Sequence, residues 1–118
     1  GNIAAGKPIE VLDHREVVAL LPDAGDKDIF VLRVKGNSMI EDHIQDGDYV
    51  IIERRNVAEN GETVVALIDN DQATLKRFYR EKGRVRLQPA HPDMKPIIVR
   101  EGDFAIQGVV IGVLRKFG

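Results

Sequence analysis

Apolar residues in this chain recur at alternate positions over short runs, and each run is closed by residues that favour a turn. Residues 29–35, IFVLRVK, set Phe30, Leu32 and Val34 on one face, the period of a strand with one side buried. Residues 49–53 form a second apolar run, and Asn60 and Gly61 introduce a third at 63–69. Asp69, Asn70 and Asp71 then turn the chain into 72–79, and Lys82 and Gly83 turn it into 84–88. Residues 97–100 follow a proline, and 104–114 is a long apolar stretch interrupted by Gly108 and Gly112. Glycine inside a strand marks a bulge or a close backbone approach. The pattern therefore predicts at least six strands in a mostly-β domain of strongly bent antiparallel sheets. Helix is expected only as a turn or two after Ser38, with residues 57–59 as a second short piece.

Length adds that this is one domain, since 118 residues supply one core and are short for two. That domain is expected to occupy residues 9–118. Residues 1–8, GNIAAGKP, are rich in Gly, Ala and Pro, so they form an arm with little apolar surface to hold it down. Apolar residues make up 43% and charged residues 31% of the chain, and no run approaches the roughly 20 apolar residues that cross a bilayer. The opening residues lack the basic and then apolar order of a secretory signal. With no cysteine, disulfide and thiol chemistry are excluded, which suits a cytoplasmic location. A net charge of −2 gives no general attraction to a phosphate backbone, so the chain by itself is not expected to bind DNA.

Chemistry concentrates around Ser38, lodged between an apolar run and the acidic turn EDHIQDGD. A serine nucleophile needs a base. His14, His43 and His91 are the three imidazoles, and the latter two lie in an acidic turn and a proline-flanked loop, where solvated surface histidines are the ordinary case. The acidic turn has neither a Cys/His pattern nor the spacing of a calcium loop, so no metal site and no cofactor are expected. Lysine is the other base that can serve a serine, provided it is neutral. In QATLKRF, alternation puts Thr74, Lys76 and Phe78 on one face and Ala73, Leu75 and Arg77 on the other. Burial there would push the amine toward neutrality, and a depression of about three units costs about 4 kcal/mol. Thr74, on the same face, is placed to share a hydrogen bond with it. The strand alone equally allows Lys76 to reach water from a sheet edge, the commoner fate of a lysine. In the arm, the Ala5-Gly6 bond joins a small residue to one without a side chain, which suits entry into a narrow cleft.

Together these elements resemble the self-cleaving C-terminal domain of the LexA, UmuD and phage-repressor family. The resemblance covers nearly the whole chain. It is carried by AAG at 4–6, VLRVKGNSMI at 31–40, DGDYVII at 46–52, NGETVVALID at 60–69, ATLKRF at 73–78 and QGVVIGVLRK at 107–116. It implies a Ser-Lys serine peptidase acting on its own chain, with Ser38 as nucleophile, Lys76 as general base and Thr74 as the hydroxyl beside the lysine. Ala5 and Gly6 would flank the bond cut, and the backbone N–H groups of Asn37 and Ser38 would form the oxyanion hole. Asn37 departs from the methionine often found there, and Asp13 stands where some relatives carry glutamine. The resemblance further implies a repressor of the SOS response, activated by the RecA filament on single-stranded DNA. It also implies a homodimer through the C-terminal strand, at 108–115. Operator DNA would be bound only through an N-terminal winged helix-turn-helix, which is expected to be absent from this chain. A UmuD-like polymerase accessory subunit, or a dimerisation module without catalysis, are the alternatives.

Overall fold

The computed structural model describes residues 14–69 and 72–117. Among these residues seven strands make one antiparallel sheet: β1 Ile29–Arg33, β2 Tyr49–Arg54, β3 Thr63–Ile68, β4 Gln72–Glu81, β5 Arg84–Gln88, β6 Ile97–Val99 and β7 Phe104–Leu114. Their spatial order is β1-β2-β7-β3-β4-β5-β6. The last strand is thus inserted at the centre, where its later residues pair with β2 and its earlier ones with β3.

Two register shifts in β7, one against each neighbour, bend the sheet. Gly108 sits between them and faces Arg54 of β2 and Val65 of β3. A Cβ at this position would press on Ile52 Cγ2 and lie 2.6 Å from the Glu53 carbonyl oxygen. Backbone cannot give way as a flexible side chain can. Gly108→Ala is therefore expected to lower stability by about 1–3 kcal/mol, the usual range for an overpacked interior. Denaturant unfolding checks it, and an unchanged midpoint would mean that the two strands are further apart than described.

The bend lets one sheet bury both of its faces. In β1, Leu32 belongs to a cluster with Val34, Met39, Val50, Ile52, Val65 and Leu75. Its neighbour Val31 faces a second cluster with Val17, Ala24 and Ile51. A third gathers Val64, Ala66, Phe78, Val85, Leu87, Ile106 and Val109. Strands buried on both sides read as continuous apolar runs such as TVVALI, whereas β5, RVRLQ, buries only Val85 and Leu87 and alternates.

The helical content differs from expectation in three places. Helix α1, His14–Leu20, and the 3₁₀ turn Pro22–Ala24 were not expected from the pattern, while residues 57–59 form no helix. HREVVAL is only two turns long and carries adjacent β-branched valines, so its propensity is weak and packing decides. Val17 is 1% exposed against β1 and β2. After Ser38 the expected turn is present as a single 3₁₀ turn, Ile40–Asp42.

Candidate active site

β1 ends at Arg33, and the chain then makes a tight excursion that carries Ser38. Each side of this excursion is tied down. Val34 donates its N–H to the Asp48 carbonyl at 2.7 Å and accepts from Gly47 at 2.8 Å. Gly36 has φ +89°, a conformation that a side chain would strain. The Ser38 carbonyl accepts from the Ala90 N–H at 2.7 Å, and Glu41 donates to the Ala90 carbonyl at 2.8 Å, so the loop after β5 holds the turn from its far side. Met39 is 1% exposed and plugs the turn into the core. The serine next to it remains only half-buried, at the wall of a cleft of about 250 Å³ lined also by Val34, Thr74, Leu75, Lys76 and Met94.

Lys76 enters from β4. Its side chain is 5% exposed, and its Nζ has three neighbours: Thr74 Oγ1 at 2.7 Å, Ser38 Oγ at 3.1 Å and the Leu75 carbonyl oxygen at 3.1 Å. Burial pushes the Lys76 ammonium down from the ordinary lysine value of 10.5 to about 8. The three neighbours suit either protonation state. An ammonium has three N–H groups, and each of these oxygens can accept one. A neutral amine has two N–H groups and one lone pair. The Leu75 carbonyl can only accept and Thr74 Oγ1 can also accept, so the lone pair is left for the Ser38 hydroxyl to donate to. The arrangement therefore accommodates both protonation states without moving a heavy atom.

The residues singled out in the sequence separate into three groups. Ser38, Lys76 and Thr74 are brought together by these contacts. Asn37 lines the same cleft, and no hydrogen bond among the described residues engages the backbone N–H of Asn37 or Ser38. Ala5 and Gly6, the arm 1–8 and Asp13 lie outside the described residues. The imidazoles play another part: His43 is exposed, and His91 accepts the Asp93 N–H on Nδ1 at 3.0 Å. No group of three or more His, Asp or Glu side chains among the described residues is arranged to hold a metal ion.

Sequence reasoning missed the two aspartates of the DGD turn. Asp48 is 1% exposed and is gripped by Arg115, whose Nε and second guanidinium nitrogen donate at 2.7 and 2.8 Å. That bonding holds its carboxyl below the usual carboxylate range. Asp46 stays exposed and accepts the Gly36 N–H at 2.7 Å. Either aspartate alone reads as an ordinary turn former, and only the position of Arg115, 67 residues away, tells them apart.

A hydroxyl in hydrogen-bond contact with a buried amine, at the wall of a cleft, is the pairing that a lysine-assisted serine peptidase requires. The chain belongs to the Peptidase S24-like family, whose pattern matches residues 1–111. Among individual proteins it is similar to LexA repressors. It is 54% identical to that of Koribacter versatilis over 117 residues, 99% of this chain and 56% of the relative. Identity is 50% to that of Syntrophotalea carbinolica, over 99% of this chain and 58% of the relative. With that of Bacillus subtilis it is 46%, over 98% and 57%. The chain thus spans little more than half the length of these relatives.

Proposed function

We propose that this chain is the self-cleaving C-terminal domain of an SOS-response transcriptional repressor, and that Ser38 and Lys76 cut the Ala5-Gly6 bond. The observation that carries the reading is the 3.1 Å contact between Ser38 Oγ and a Lys76 Nζ withdrawn from water. Neutral Lys76 takes the hydroxyl proton as Oγ bonds to the Ala5 carbonyl carbon. Negative charge then develops on the carbonyl oxygen. The backbone N–H groups of Asn37 and Ser38 are the donors proposed to meet it, a contribution of about 3–4 kcal/mol where such donors are aimed in advance. Protonated Lys76 returns the proton to the Gly6 nitrogen as the C–N bond breaks, leaving an ester between Ser38 and Ala5. Water, deprotonated by the same amine, splits that ester into the Ala5 carboxylate and free Ser38.

Carrying the bond in the same molecule as the nucleophile replaces a bimolecular encounter with a high effective concentration. Control then rests on whether the arm is docked. The proposed activator, the RecA filament on single-stranded DNA, would act by binding the docked form more tightly, since a partner shifts an equilibrium only by its difference in affinity for the two states. A homodimer through the C-terminal strand is proposed on the same resemblance. Beyond Val109, β7 has no β3 partner among the described residues, and Val113 on that stretch is 44% exposed. Operator DNA would be bound through an N-terminal domain, as the acidic balance of this chain offers phosphate no attraction.

The test is a mass measurement over time. Incubation should remove residues 1–5. With an amine titrating at about 8, the neutral fraction and hence the rate rise about tenfold from pH 7 to pH 9, then level off. A chain still whole after prolonged incubation at pH 9 would turn the reading toward a binding module without catalysis.

A further inference from the structure

The two unengaged N–H groups at Asn37 and Ser38 lie in a segment without regular secondary structure, so something outside the dyad must fix the peptide planes on which they sit. The Asp46 turn does this reciprocally. Its carboxylate oxygen Oδ1 accepts the Gly36 N–H at 2.7 Å, while its own backbone N–H donates to Asn37 Oδ1 at 3.0 Å. One aspartate thus holds both residues that immediately precede the serine. The turn that presents it is braced in its own right. Asp48 Oδ2 accepts the Gln45 N–H at 2.9 Å, Arg115 grips both Asp48 oxygens, and Arg115 also donates to the His43 carbonyl at 3.3 Å. A continuous set of hydrogen bonds therefore runs from the end of β7 through 43–48 to Gly36 and Asn37.

We propose that Asp46 is a positioning residue for the reaction at Ser38, its carboxylate clamping Gly36 and Asn37 so that the N–H groups of Asn37 and Ser38 present to the cleft. This rests on the Ser-Lys reading above and extends it to a residue that touches neither the nucleophile nor the base. The clamp also gives the Asn37 side chain a purpose. A methionine there has no oxygen to accept the Asp46 N–H, so in this chain the side chain adds a second link to a hold that the aspartate makes alone elsewhere on the turn. Asp46 is exposed and its bonds compete with water, so its loss should misalign the turn rather than unfold the domain.

Two substitutions and two readouts test this. Asp46→Ala is expected to slow self-cleavage at pH 9 about tenfold or more. Asp46→Asn keeps an oxygen able to accept from Gly36 and should restore the rate to within about threefold of the parent. In both variants the pH at which the rate is half-maximal should stay where it is in the parent, because Lys76 is untouched. A general loss of structure would instead defeat rescue by asparagine and would lower the unfolding temperature in step with the rate. Amide hydrogen exchange is the second readout: Gly36 should exchange about tenfold faster in Asp46→Ala at unchanged global stability. If the parent cuts and Asp46→Ala cuts equally fast, the inference is overturned while the dyad stands. If the parent stays whole, the dyad reading fails, and a Gly36 exchange rate unchanged by Asp46→Ala would remove the clamp as well.

Discussion

Ser38→Ala and Lys76→Ala should each leave the chain whole under conditions in which the parent loses residues 1–5. The two variants remove different things, and the size of the effect follows from that. Alanine at 38 deletes the atom that forms the covalent bond, so no acyl intermediate can exist and the rate should fall at least about 10⁴-fold, as for other enzymes that lose a nucleophile. Alanine at 76 keeps the hydroxyl but strips it of the only base in contact with it among the described residues. Each group depends on the other for any effect, so the losses should be non-additive and the double variant no worse than either single one. Mass spectrometry after days at pH 9 is the measurement, with a folded-state check by circular dichroism. Cutting by the lysine variant at more than a small fraction of the parent rate would show that another base serves Ser38. Thr74→Ala belongs to a different class. It removes a hydrogen bond of 2.7 Å from Nζ without removing the lone pair, so a milder loss is expected.

What the sequence disclosed and what it hid divide along physical lines. Phe30, Leu32 and Val34 were placed on one face by their spacing, and Leu32 and Val34 do share a cluster against which Phe30 packs. β3 gave away its existence but only one of its neighbours: the hairpin to β4 is local, whereas TVVALI is apolar on both faces and nothing local says that β7 rather than β2 lies on its other side. The insertion of β7 between β2 and β3 is a long-range pairing, and its mark in the sequence is a glycine at 108 where a Cβ has no room. Helix α1 was missed since its stability comes from Val17 meeting the sheet, a contact that two turns of propensity do not foretell. At the site, alternation placed Thr74 and Lys76 on one face but left open whether the amine reached water. The resemblance raised Ser38 as its neighbour, and the 3.1 Å contact is a fact of the fold alone. Asp46 and Asp48 were illegible because a turn-forming aspartate looks the same whether it is buried under an arginine or bonded to a glycine.

A lysine held at 5% exposure with a titration point near 8 should make the folded state weaker than it need be, and Lys76→Met is expected to stabilise the domain at pH 7. The unfolded chain keeps a proton on residue 76 up to about 10.5, the folded chain only to about 8, so across that window unfolding takes up a proton and stability rises with pH. Below pH 8 the penalty is constant at about 3 kcal/mol, and it falls below about 1 kcal/mol by pH 10. Methionine matches the reach of the lysine stem and suits the apolar wall, but it leaves Thr74 and the Leu75 carbonyl without the amine, a loss of about 1 kcal/mol where cleft water substitutes. The net gain at pH 7 is therefore about 2 kcal/mol, or about 5–10 °C in a domain of this size, and at pH 10 it should be close to zero. Both chains should carry Ser38→Ala, so that cutting during the scan does not change the species being melted. An advantage for methionine that is absent at pH 7, or that grows as the pH rises, would mean that Nζ is solvated in the folded state. The dyad would then lack the neutral amine on which its chemistry depends. A stabilisation that fades on the alkaline side would instead show that the fold tolerates a strained charge in order to keep a base beside Ser38, the usual trade between stability and activity at a catalytic site.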